Sequence, residues 1–208
     1  LETSVSVDDF NQVFERLAAP VDLSFYQKAE LDLLKLKGIA NKKLLDKKIE
    51  LYRQSHFWIL NSYAGARVLS GQYFLNELKA YSPKKAMLKI KELNGLVNKI
   101  KQEKHKIIEK YRLGKDIYKT AQRLSYCIWW QDLRKNYIFL ANHYIDLFLK
   151  EFSRRYNVSF ASLQNYQHVE ILKLLNKGKK IPSAKIRNRQ SAFVIHYSEK
   201  TNALSYFT

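Results

Sequence analysis

The residues of this chain whose types and spacing could do chemistry gather in one turn, Trp129-Trp130-Gln131-Asp132-Leu133-Arg134-Lys135. The two indoles offer flat apolar surface and Arg134 or Lys135 can meet an anion, so the turn reads as one wall of a cleft for a partly anionic small molecule. A structural reading competes with this one and is favoured: Asp132 pairs with Lys135 at i,i+3, and Arg134 pairs with a neighbouring helix. If the turn does bind a ligand, its other walls must come from distant parts of the chain. Trp58 and Tyr63, in the aromatic run from His56 to Arg67, and Arg187 and Arg189, near the C-terminus, would then join Trp129, Trp130 and Arg134 as the ligand-binding residues. Together they supply apolar walls with a few cationic groups, the usual make-up of such a pocket.

Catalytic signatures are missing from the sequence. It has no Gly-rich phosphate loop, no Gly-x-Ser-x-Gly elbow, no His-Glu-x-x-His and no cysteine pair for zinc. The histidines at 56, 105, 143, 168 and 196 are scattered, and no Glu-x-x-His suggests a di-metal bundle. His105 lies among lysines and is expected at the surface; His143 is expected to be a hydrogen-bonded helix residue. Cys127 is the single cysteine, which excludes an internal disulfide, and in mid-helix it is expected to be a small buried apolar side chain. No catalytic residue, metal or cofactor is expected in this chain.

Composition bounds the class. With 208 residues and 46% hydrophobic content the chain can bury a proper core, and three prolines and six glycines against 14 Tyr and 11 Phe point to long uninterrupted elements. No run approaches the roughly 18 apolar residues of a membrane span and there is no signal peptide, so no membrane partner is expected and the cytoplasm is the expected compartment. The chain begins without Met and stops on an apolar LSYFT, as expected of a fragment of a larger protein. Its net charge of +18 is concentrated in two patches: residues 82–119 carry twelve Lys/Arg against four acids, and residues 173–189 carry seven against none. Such patches suit a phosphate-rich partner such as nucleic acid. They equally suit a solvated face, which is favoured because most of the charges are Lys and are not interleaved with aromatics.

The elements that must position these residues are helices. Residues 116–156 contain no Pro or Gly; Ile117, Ala121, Leu124 and Ile128, then Ile138, Ala141, Ile145, Phe148 and Phe152, recur at helical spacing beside a second row of Leu133, Tyr137, Leu140, Tyr144 and Leu147. This predicts one spine helix of roughly 60 Å touching more than one neighbour. Ser82-Pro83 opens a second long helix in which Ile90, Leu93, Val97, Ile100, Ile107 and Tyr111 face inward up to a break at Leu113-Gly114, leaving its lysines exposed. The two are expected to fold back antiparallel as a long hairpin. Shorter helices are predicted after Ser6, Ser24, Lys42, Ser70, Ser159, Gln167 and Ser183, and Ala192–Tyr197 with Ala203–Phe207 reads as a β-hairpin. The expected fold is therefore mainly α: a helical domain over 1–190, built on the long antiparallel pair, with a β-hairpin or strand appendage over 191–208 leading to a downstream domain.

The run YCIWWQDLRKNYIFLANHYIDLFLKEFSRRYNVSFASLQ, followed by VEILKLLNKGKKIPSAKIRNRQSAFVIHY and preceded by HFWILNSYAGARVLSGQYFLNELKAY, resembles the helical middle region of proteins related to phosphoenolpyruvate synthase and rifampin phosphotransferase. The resemblance spans about residues 20–208. It implies a position between an ATP-grasp nucleotide-binding domain and a swivelling phosphohistidine domain of the same protein, which would be the partners of this region. The Thr-x-Gly-Gly-type loop that precedes the family's phosphohistidine is absent around all five histidines, so no active-site residue carries over. The function so implied is that of a non-catalytic linker or acceptor-recognition domain of a multidomain phosphoenolpyruvate-utilising or phosphotransferase-like protein, with a possible small-molecule acceptor. The alternative is a basic helical nucleic-acid-binding module.

Overall fold

Helix capping sets most of the element boundaries in the computed structural model, which describes residues 7–63, 65–191, 194–200 and 202–207. Among them are the helices α1 (Val7–Ala18), α2 (Phe25–Lys35), α3 (Lys42–His56), α4 (Gly71–Ala80), α5 (Pro83–Lys110), α6 (Lys115–Tyr156), α7 (Phe160–Leu163), α8 (His168–Lys177) and α9 (Ser183–Ser191), and the strands β1 (Val194–Ser198) and β2 (Ala203–Phe207). The protein is mainly helical. Ser24, Ser70, Ser82 and Ser159 each accept a backbone N–H at the start of α2, α4, α5 and α7, satisfying donors that no helix can pair internally. Ser24 and Gln27 do so reciprocally as a capping box. At the far end of α8, Gly178 takes φ 62, the left-handed conformation a glycine adopts without steric cost. Ser6 lies outside the described residues, and Ser183 is the first residue of α9 itself.

The turn after α5 differs from expectation. The left-handed residue there is Arg112, at φ 48, while Gly114 keeps an ordinary φ. Burial decides this: Leu113 packs with Val13, Leu17 and Ile107, and its N–H donates to Ile108 O at 3.0 Å, which fixes the chain around Arg112 rather than around the glycine.

The chain divides into two compact units, Leu1–His143 and Tyr144–Thr208, with the division inside α6. In the first, α2 touches both long helices. Leu23 and Leu31 pack with Leu93 of α5, and Phe25, Ala29 and Leu33 share a core with Ile49, Trp58, Leu69, Phe74, Leu78 and Phe139 of α6. Leu34, Ile49, Leu69 and Leu93 are fully buried, sites where truncation to alanine costs about 2–5 kcal/mol. The run after α3 is partly buried and pinned to α6: Trp58, Ile59 and Asn61 are buried while Leu60 and Tyr63 are exposed, and Asn61 Nδ2 donates to Phe139 O at 2.8 Å while its Oδ1 accepts from Arg67 N at 2.6 Å. In the second unit, Leu163, Leu174 and Ile186 are the buried apolar residues of α7, α8 and α9. Strands β1 and β2 pair antiparallel, Val194 opposite Phe207 and Ser198 opposite Ala203.

Helix α6 runs 42 residues, but its apolar rows are not covered as expected. Phe139 is buried, whereas Ile128, Tyr137, Tyr144, Ile145, Leu147 and Phe148 are exposed. Periodicity records which side chains share a face, and only packing decides whether anything covers it. Cys127, expected to be buried, is exposed for the same reason.

Candidate functional site

Lys101, Lys104 and His105 stand at i, i+3 and i+4 on α5 and therefore share one face of it. That face was expected to be a solvated lysine stripe, yet Lys104 is only 8% exposed. Its ammonium donates to Ser125 Oγ of α6 at 3.1 Å, and the Ser125 hydroxyl donates in turn to Ala19 O at 2.7 Å. The serine proton is thus committed to the backbone, leaving its oxygen to accept from the lysine. Among the described residues no carboxylate forms an ion pair with Lys104. Burial pushes the Lys104 ammonium down from its ordinary value, because a charge removed from water is disfavoured.

The buried ammonium borders a cleft of about 460 Å³, lined by Val21, Asp22, Lys101, Lys104, His105, Tyr118, Gln122, Ser125, Tyr126 and Trp129. Its aromatic wall comes from α6, where the Tyr126 and Trp129 rings lie 5.5 Å apart at 43° and Gln122 Nε2 donates to Tyr118 Oη at 2.8 Å. Asp22, the acid in the lining, is engaged by Lys28 Nζ at 3.1 Å and by Leu23 N at 2.8 Å. An apolar, aromatic-walled cleft with cations on one side and an occupied carboxylate is suited to an anionic small molecule. A cluster of His, Cys, Asp and Glu able to hold a metal ion does not occur among the described residues.

The residues singled out from sequence fall into separate places. Trp129 lines this cleft, and with Trp58 it also lines a second cavity of about 200 Å³ that reaches Phe25 and Asp132. Trp58 itself is 7% exposed and belongs to the core. Tyr63 is 66% exposed and sets its ring edge-on to Phe139 at 5.6 Å. Trp130 is 49% exposed and carries the Arg134 guanidinium over its ring at 5.6 Å.

The expected ion pairs of this turn are not formed. Asp132 instead accepts the first N–H of α2 from Phe25 at 3.0 Å, so its charge meets the positive end of that helix rather than Lys135. Arg134 lies on an exposed face of α6 with Trp130, not against a carboxylate of another helix.

Arg187 and Arg189 belong to the second unit. Arg187 is exposed; Arg189 is 6% exposed and makes three hydrogen bonds. Its Nη1 and Nη2 donate to Glu170 Oε2 and Oε1 at 2.6 and 3.0 Å, and Nη1 also donates to Asn165 O at 2.7 Å. Glu170 further accepts from Lys185 Nζ at 2.9 Å and from Gln167 N at 2.9 Å. Burial works to raise the Glu170 carboxyl, but the bonds from Arg189, the Gln167 N–H and Lys185 outweigh it and hold it at about 2. Arg189 is a structural cation, not a free ligand contact.

Sequence reasoning missed Lys104, Lys101, His105, Tyr118, Gln122, Ser125 and Tyr126 as a group. One signal was present: in the row Val97, Ile100, Ile107, Tyr111 the step between Ile100 and Ile107 is filled by Lys104, a cation in an apolar register.

No protein-family model matches the chain, and no curated protein and no solved structure matches it.

Proposed function

We propose that this chain is a recognition domain that carries no catalytic machinery of its own and holds a small anionic acceptor in the cleft beside Lys104. The observation that carries this reading is a buried lysine with no carboxylate partner at the edge of an aromatic-walled cleft. A protein gains nothing in stability from burying such a charge, so an anion that completes its pairing is the physical reason to keep it. The reading agrees with the resemblance to the helical middle region of phosphoenolpyruvate synthase and rifampin phosphotransferase relatives, in which this domain would pass a bound acceptor to flanking ATP-grasp and swivelling phosphohistidine domains in the cytoplasm. In that arrangement α5 and α6 act as a long antiparallel pair and the β1–β2 hairpin leads toward the next domain. The test is a thermal-shift and calorimetric screen of the full chain against small carboxylates and phosphates. Saturable binding that disappears in Lys104→Met supports the reading; identical behaviour of wild type and Lys104→Met toward every anion overturns it.

A second reading, single-stranded nucleic acid, is favoured by one observation. Lys119, Arg123, Tyr126, Trp130, Arg134 and Tyr137 are all exposed and share one face of α6, so cations and aromatics alternate there as they do not on α5. Asp132, the one acid between Ile117 and His143, is turned to α2. Binding of labelled oligonucleotides that weakens steeply with salt and is lost in Trp130→Ala would favour this reading; no binding at low salt removes it.

A further inference from the structure

Resting on the recognition reading above, we infer that the cleft beside Lys104 is built for a phosphate monoester carrying a planar ring, a ligand of mononucleotide size, rather than for a carboxylate. The cationic side is composed of Lys101, Lys104 and His105, with no arginine in the lining. Arginine is the residue whose planar fork matches the two coplanar oxygens of a carboxylate, whereas ammonium groups act as compact point charges that suit the tetrahedral oxygens of phosphate. Lys104 spends one of its three N–H donors on Ser125 Oγ and keeps two for a ligand. Because Ser125 gives its proton to Ala19 O, it adds no donor of its own, and the anion's charge is met by the Lys101 and Lys104 ammonium groups of one helix face. Two ammonium groups and an imidazole offer more donors and charge than two carboxylate oxygens take up; a phosphate with three terminal oxygens and a charge of about −1.5 to −2 matches them.

The ring assignment rests on the wall that α6 supplies. Trp129 and Tyr126 present a tilted aromatic pair at 5.5 Å in the same cleft, and stacking on such faces is indifferent to which base is offered. The cleft volume of about 460 Å³ falls in the range of about 300–1,000 Å³ that small-ligand sites occupy and exceeds what an inorganic ion alone would fill. Phosphate and ring therefore bind against different helices in one cavity: the phosphate against α5 and the ring against α6.

The test is a titration of the full chain with four probes, adenosine monophosphate, adenosine, inorganic phosphate and benzoate, read by calorimetry and by tryptophan fluorescence. Adenosine monophosphate is expected to bind tightest. Lys104→Met should weaken it by at least about tenfold, the loss of a charged hydrogen bond, and Trp129→Ala should weaken it while leaving inorganic phosphate unchanged. Lys101→Gln, at an exposed position, provides a cation-removing variant whose folding is not at issue and should weaken both phosphates. Benzoate binding as tightly as adenosine monophosphate, with the same dependence on Lys104, would overturn the phosphate assignment and leave the recognition reading standing. Inorganic phosphate binding as tightly as the nucleotide would overturn the ring. No Lys104-dependent binding of any probe would overturn both the inference and the reading beneath it.

Discussion

Among the described residues two cationic side chains are buried, one in each compact unit, and their surroundings are opposite. Arg189 meets Glu170 through two parallel hydrogen bonds, a third donor goes to Asn165 O, and Lys185 and the Gln167 N–H complete the carboxylate. Lys104 meets one hydroxyl. A buried ion pair with several hydrogen bonds around it holds its elements in register, because losing either partner strands the other charge out of water. A buried cation with one neutral partner holds nothing together that a methionine would not hold better. The first is the mark of a structural lock between α8 and α9; the second, at the edge of a cleft, is the feature on which the proposed anion site rests.

The largest effect is expected where the lock is broken. Arg189→Ala should lower the stability of the second unit by about 3–5 kcal/mol, measured as faster amide hydrogen exchange around Leu174 of α8. A loss below about 1 kcal/mol would remove the contrast with Lys104. Acid should act on the same lock. The Glu170 carboxyl is held at about 2 against an ordinary 4.5, so its contribution is fully present above pH 4.5 and is lost as pH falls from there toward 2. The full contribution is about 3 kcal/mol, and α8 exchange should rise across that window by more in wild type than in Arg189→Ala, which keeps only the Gln167 and Lys185 bonds to the carboxylate. Equal acid responses in the two proteins would place the proton elsewhere.

A smaller effect of opposite sign is expected at Lys104. Lys104→Met should leave stability unchanged or raise it by about 1 kcal/mol in chemical denaturation, since it removes a desolvated charge and leaves Ser125 bonded to Ala19 O. Because the folded ammonium releases its proton below the ordinary 10.5 of an unfolded lysine, the unfolded chain binds more protons in between, and wild-type stability should rise with pH as 10.5 is approached. The methionine variant should lack that rise. A variant clearly less stable than wild type would make Lys104 structural and dissolve the comparison.

The smallest effect is expected at Arg134, whose contact with Trp130 is exposed. Arg134→Ala should change stability by no more than about 1 kcal/mol. A loss above about 2 kcal/mol in the same measurement would show that this pair, and not Lys104, is the exception among the cations of the first unit.

Much of the fold could be read in advance because helix boundaries are local chemistry. Ser24, Ser70, Ser82-Pro83 and Ser159 announce their helices from side-chain oxygens and a fixed proline φ, Gln167 does so through the Glu170 carboxylate that accepts its N–H, and Gly178 ends one by its freedom at positive φ. The uninterrupted run behind α6 was equally local. The site was legible only in part. Trp129 stood out as an unusual residue, whereas Lys104 was one of eleven lysines in its patch and Ser125 one serine in a helix.

The sequence by itself determined where helices begin and end, which side chains share a face and how much positive charge the chain carries, since each depends on residues within a few turns of one another. Only the tertiary structure decided which of those faces is covered. Asp132 could pair with Lys135 three residues on or cap a helix more than a hundred residues away, and α2 arriving with unsatisfied N–H groups settled it. Arg187 and Arg189 lie on different faces of α9, and the position of Glu170 made one a lock and left the other in solvent. Lys104 shares its helix with Lys101 and Lys106, and the approach of Ser125 buried it alone of the three, because burial is set by neighbours that no local pattern names.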